Sequence, residues 1–90
     1  MTVDLVITNA KIVNPRSIIT GGIAIDDGII VSVAKDSNLP KADRIIDAGG
    51  KILIPGVIDG HAHTSLPPEN SKTGTKAAAR GGITTLLEMP

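Results

Sequence analysis

Ninety residues make one small domain or a piece of a larger one. Nine Lys+Arg balance nine Asp+Glu, evenly along the chain (five basic and six acidic in residues 1–50, four and three in residues 51–90), which argues against a nucleic-acid or anionic-membrane surface. Zero cysteines exclude disulfides and thiolate metal sites, no apolar run approaches the roughly 20 residues of a membrane span, and Met1-Thr2-Val3-Asp4 lacks the regions of a signal peptide, so a cytoplasmic location is the expectation.

With no aromatic residue, the core must be aliphatic, drawn from 14 Ile, 6 Val and 6 Leu. Ile, Val and Thr together make 28 of the 90 residues, and side chains branched at Cβ favour strands.

Val3, Leu5 and Ile7 alternate with Asp4, Val6 and Thr8, which predicts a strand with one buried face. Asn9-Ala10 reads as a turn, Lys11–Val13 as its continuation and Asn14-Pro15-Arg16 as a loop. Ser17–Thr20 is a short apolar run that Gly21-Gly22 is expected to break. Ile23–Ile25 and Ile29–Ala34 flank Asp26-Asp27-Gly28, a hairpin turn. Lys35–Lys41 reads as a loop, Arg44–Ala48 and Lys51–Ile54 as short strands around Gly49-Gly50. Residues 1–55 thus predict short antiparallel strands, a half-open sandwich or barrel.

After Pro55-Gly56 the pattern changes. Val57–Asp59 is an apolar strand leading through Gly60 to His61-Ala62-His63, and Thr64–Ser71 with Pro67-Pro68 is a polar loop. Thr73–Arg80, rich in Ala, predicts a short helix capped by Ser71 or Thr73 and ended by Gly81. Ile83–Glu88 is a second apolar strand. Strand, helix, strand is one βαβ crossover and implies parallel pairing. Residues 1–55 and 56–90 are therefore expected to be two regions.

Chemistry concentrates at His61 and His63. At i, i+2 on a continuing strand the two rings share a side, and two imidazoles there can bind one divalent metal ion, zinc above all. The bland reading is two exposed loop histidines, and two ligands are fewer than the three of a usual catalytic zinc. Asp59 can supply a third ligand or hydrogen-bond the loop backbone. Glu88, at the end of its strand, can face the same mouth or sit in an ion pair. Glu69 reads as solvated.

The run Pro55-Gly56-Val57-Ile58-Asp59-Gly60-His61-Ala62-His63 resembles the opening of the barrel in the amidohydrolase superfamily. Asp4-Leu5-Val6-Ile7 with Asn9, Ile25-Asp26-Asp27-Gly28-Ile29-Ile30 and Ile45-Ile46-Asp47-Ala48-Gly49-Gly50-Lys51 resemble the β segment that precedes it. Thr73-Gly74-Thr75-Lys76-Ala77-Ala78-Ala79-Arg80-Gly81-Gly82-Ile83-Thr84-Thr85, followed by Glu88-Met89-Pro90, is similar to the cyclic-amidase branch, allantoinases most of all, with dihydroorotases and dihydropyrimidinases next. The resemblance spans essentially the whole chain.

It implies a mixed β and α/β fold: a small β-sandwich portion, then the first βαβ of an incomplete TIM-type (β/α)8 barrel. It also implies one or two divalent metal ions, with His61 and His63 as ligands of the more buried one. The family's reaction opens a cyclic amide with metal-activated water, while an aspartate on a late strand passes a proton to the leaving nitrogen.

A full barrel takes about 250 residues. The family's bridging carboxylated lysine, two further histidines and catalytic aspartate come later than these residues, and neither Lys72 nor Lys76 is assigned to them. The 90 residues alone are thus expected to be inactive. Thr64-Ser65-Leu66-Pro67-Pro68 carries no arginine, the first one downstream being Arg80, which weakens a dihydroorotase reading. Two other functions stand beside the hydrolase: a non-catalytic β module that forms homo-oligomers through open strand edges, and a metal binder using His61, His63 and Asp59.

Overall fold

The structure is a computed structural model that describes residues 1–64 and 70–89. The polar loop expected over 64–71, with Pro67-Pro68 and Glu69, falls largely outside the described residues. The chain divides into two compact units, Met1–Ile54 and Pro55–Pro90.

In the first unit five strands form one sheet in the order β3-β2-β1-β4, with β5 also paired to β1. They are β1 (Thr2–Val13), β2 (Ile18–Asp26), β3 (Ile29–Ala34), β4 (Lys41–Asp47) and β5 (Ile52–Leu53). β1–β2 and β2–β3 are antiparallel, but β1 pairs in parallel with both β4 and β5. This corrects the all-antiparallel expectation. Alternation of apolar residues reports which face is buried and is blind to strand direction. The connection from β3, through a 3-10 turn at Asp36–Asn38, crosses over β2 and β1 to place β4 in the same sense as β1.

Two breaks read from the sequence are continuous strand. Asn9 lies in a β-bulge: its φ is 54°, and between the pairs Ile7–Ile23 and Ala10–Gly21, Thr8 and Asn9 of β1 oppose the single Gly22 of β2. The extra residue restores the pattern, so that Ile7, Ala10 and Ile12 pack with Ile23, Ile25, Ala48 and Leu53 in one cluster. Gly21-Gly22 lies inside β2 because backbone crowds it: a Cβ on Gly22 would overlap the Ile7 carbonyl. A second cluster, Val3, Val6 and Ala24 with Leu39 and Ala42, completes the aliphatic core. The Asp26-Asp27-Gly28 turn forms as expected, Asp27 and Gly28 having φ of 50° and 73°, the values of a two-residue type I′ hairpin.

The bulge is tied down by side chains. Asn9 N–H donates to both oxygens of Asp36, at 3.2 and 3.1 Å, and its amide donates to Asp47 Oδ1 at 3.1 Å. Asp47 also accepts from Gly49 N–H at 2.8 Å. The Gly49 N–H first, and the Asn9 amide second, hold the Asp47 carboxyl below the usual carboxylate range.

The second unit is a parallel strand pair with a helix between: β6 (Val57–Ala62), α1 (Ser71–Arg80) and β7 (Ile83–Glu88). The helix is capped by Asn70, one residue before the expected candidates. Its side chain accepts from Thr73 N–H at 3.0 Å, and Thr73 Oγ1 accepts from Asn70 N–H at 3.0 Å, a reciprocal box. Thr73 is thus the partner of the cap, and Gly81 closes the helix as expected.

Candidate functional site

His61 lies in β6, and His63 follows immediately after its last residue, Ala62. β6 is parallel to β7, so both histidines stand at the C-terminal end of a parallel pair. Between Asp59 and Ala62 the register slips: three residues of β6 advance against two of β7, Leu86 to Glu88. This irregularity falls on Gly60-His61, and bulges beside functional sites re-aim side chains.

The two rings meet on one side of the backbone. Nε2 of His61 and Nε2 of His63 are 3.2 Å apart, and the rings sit edge to face, centroids 5.0 Å apart at 71°. His63 Nδ1 lies 3.1 Å from the Met89 carbonyl oxygen. A carbonyl oxygen only accepts, so in the neutral ring Nδ1 carries the proton and Nε2 presents its lone pair to His61. A backbone acceptor of this kind fixes the tautomer of a metal-ligating histidine.

The spacing permits a test of fit. Two nitrogens bonded to one tetrahedral zinc at 2.0–2.1 Å stand about 3.3–3.4 Å apart. The observed 3.2 Å is within a small side-chain adjustment of that. Imidazole nitrogen is a donor that zinc and other first-row divalent ions accept.

The other candidates behave differently. Asp59 turns back on its own strand, Oδ1 accepting His61 N–H at 3.0 Å. Among the described residues no three His, Asp or Glu side chains gather into a metal-binding group, so the arrangement of His61, His63 and Asp59 is not formed. Asp59 instead steadies the backbone that carries His61. Glu88 grips Thr64: its carboxylate accepts Thr64 N–H at 3.1 and 3.0 Å and Thr64 Oγ1–H at 2.7 Å. Glu69 lies outside the described residues.

Three contributors escaped the sequence: Thr64, the Met89 carbonyl and Gly74. Gly74 carried a signal. A glycine inside a helix costs about 1 kcal/mol against alanine and calls for a packing reason. Here Gly74 is buried and lies against Thr64, whose Cβ would stand 2.7 Å from an added methyl group.

No family model matches the chain. Individual proteins do. The chain is 45% identical to an allantoinase of Arabidopsis thaliana over 92 residues, covering 93% of this chain and 18% of that protein. It is 40% identical to an allantoinase of Escherichia coli over 94 residues, covering all of this chain and 20% of that protein. Among solved structures it matches an L-hydantoinase (dihydropyrimidinase) of Arthrobacter aurescens with a TM-score of 0.85 and 34% identity, over 98% of this chain and 21% of that one. Over its whole length the chain is similar to cyclic amidases of the amidohydrolase superfamily. It spans about a fifth of the length of these relatives. Among the described residues no helix is long and apolar enough to cross a membrane.

Proposed function

We propose that these residues form the N-terminal portion of a cytoplasmic, metal-dependent hydrolase that opens the ring of a cyclic amide, allantoin first among them. In this reading Pro55–Pro90 begins a (β/α)8 barrel, and His61 and His63 hold a divalent ion, zinc, through Nε2 at the mouth where such barrels place their sites. The convergence of the two Nε2 atoms at 3.2 Å carries the reading. Bound there, the ion would lower the pKa of water and polarise the amide carbonyl.

The chain's own residues prepare the donors. Met89 O holds the proton on His63 Nδ1, and the Asp59 carboxylate fixes the His61 backbone. Further ligands, and a proton donor for the leaving nitrogen, belong to the family's later strands, so the 90 residues alone are inactive. The exposed Ile18, Ile29, Ile45 and Ile52, each more than 60% accessible, support assembly with further chain or with other copies in a homo-oligomer.

The 45% and 40% identity to allantoinases favours allantoin over the dihydropyrimidine or hydantoin rings of the structural match. The test is ring opening by the full-length gene product, zinc-loaded and chelator-treated, on allantoin, hydantoin, dihydrouracil and dihydroorotate. Zinc-dependent turnover with allantoin preferred is expected. Turnover of none of the four rings would overturn the assignment.

A further inference from the structure

The groups that orient His63 converge from the end of β7. On the N-terminal side of His63, the Ala62 carbonyl accepts Met89 N–H at 2.7 Å. On the C-terminal side, Thr64 is bound through both its N–H and its hydroxyl to Glu88. The ring itself is bound at Nδ1 to Met89 O. His63 is thus anchored on both flanks and at its side chain by Glu88, the last residue of the neighbouring strand, and Met89, which follows it.

The Thr64 anchor is built to resist movement. Thr64 is the buried polar residue among those described, 8% exposed. Gly74 of α1 packs against its backbone, where an added Cβ would overlap the Thr64 carbonyl oxygen. Helix on one side and carboxylate on the other leave Thr64 little room. Bonds from N–H and O–H to an ionised carboxylate are also stronger than those to a neutral acceptor.

We infer that Glu88 is a positioning residue for His63: by gripping both donors of Thr64 it holds the strand end so that His63 Nε2 stays aimed at His61 Nε2. Glu88 reaches the histidine through Thr64 and is not itself a ligand. The inference rests on the metal reading above for its purpose, though not for its geometry. Losing the grip frees the residue after His63, loosens the Nδ1 bond to Met89 O and lets the ring exchange tautomers and rotate.

Two measurements on the purified chain separate the two claims. The first needs no metal. Nitrogen-15 spectra of the neutral imidazoles should show His63 as the Nδ1–H tautomer in the wild type. Glu88→Ala should give a mixture of tautomers, and Glu88→Gln, whose amide oxygen can still accept Thr64 N–H, should restore much of the order. Thr64→Val, which removes only the hydroxyl, serves if Glu88→Ala does not fold, and should give partial loss. The second is zinc affinity by titration. Loss of a direct outer partner of a ligating histidine costs about 10–100-fold; acting one residue removed, Glu88→Ala should lose about tenfold, at the lower end of that range, and Glu88→Gln less. A His63 tautomer that stays fixed in Glu88→Ala and Thr64→Val would overturn the positioning role. A wild type with the fixed tautomer but no zinc binding would keep that role and overturn the metal reading.

Discussion

Residues 1–54 and residues 55–90 divide stability from chemistry. The first unit holds every buried aliphatic residue among those described: Val3, Val6, Ala10, Ile12, Ile23 and Ala24. Its strands reach nine and twelve residues, and β1 has partners on both sides. The second unit is one parallel pair of six-residue strands and a ten-residue helix, with Ile58 and Leu87 70% and 56% exposed. Two strands alone are marginal in water. Yet the converging imidazoles, the fixed tautomer of His63 and the Glu88 grip all lie there. Order at the site comes from specific polar bonds, whereas order in the sheet comes from burial and continuous pairing. Functional segments are commonly drawn from the less stable end of a structure.

The largest effect should come from crowding the sheet. Gly22→Ala puts a methyl group into the Ile7 carbonyl, and overpacking costs about 1–3 kcal/mol, the upper end being expected against backbone. Urea unfolding should show that loss, and a change below about 1 kcal/mol would mean the close approach of β1 and β2 is not as described. Next, amide exchange should separate the units. The slowest amides should lie in β1 and β2, with those of β6, α1 and β7 at least about tenfold faster, or about 1.4 kcal/mol. Equal protection would erase the contrast.

A smaller, local effect is expected at the helix. Asn70→Ala removes the acceptor for Thr73 N–H, and loss of such a cap costs about 1 kcal/mol. Exchange should quicken in the first turn of α1 and stay unchanged in β1 and β2. The smallest effect concerns pH. Asp47 has a lowered carboxyl pKa in the fold, so its contribution is present above the unfolded value of about 3.9 and is lost as pH falls below it, through the folded value. Thermal melts of wild type and Asp47→Asn should therefore differ near neutrality and converge at the acid end. A gap that widens on acidification would contradict the role given to the Gly49 and Asn9 bonds.

The sequence was most legible where one local rule decided the outcome. Asp27-Gly28 fixed the hairpin, Gly81 closed the helix, and the apolar runs at 57–59 and 83–88 located the parallel pair. It misled where a long-range contact overrode the local signal. Asn9 and Gly21-Gly22 have turn chemistry, but the pairing of β1 with β2 turns the first into a bulge and needs the second for close approach. The direction of β4 and β5 is set by connections that alternation does not record. At the site, His-x-His spacing placed both rings on one side. What holds His63 comes from far along the chain, Glu88 lying 24 residues from Thr64 and Met89 26 residues from His63, and no spacing rule links those positions.

The central claim is that His61 and His63 together take one divalent cation. It is tested most directly by calorimetric zinc titration of the wild type beside the double variant His61→Ala/His63→Ala. The account predicts one ion bound per wild-type chain and loss of that binding in the variant. Equal binding by the two proteins would contradict it.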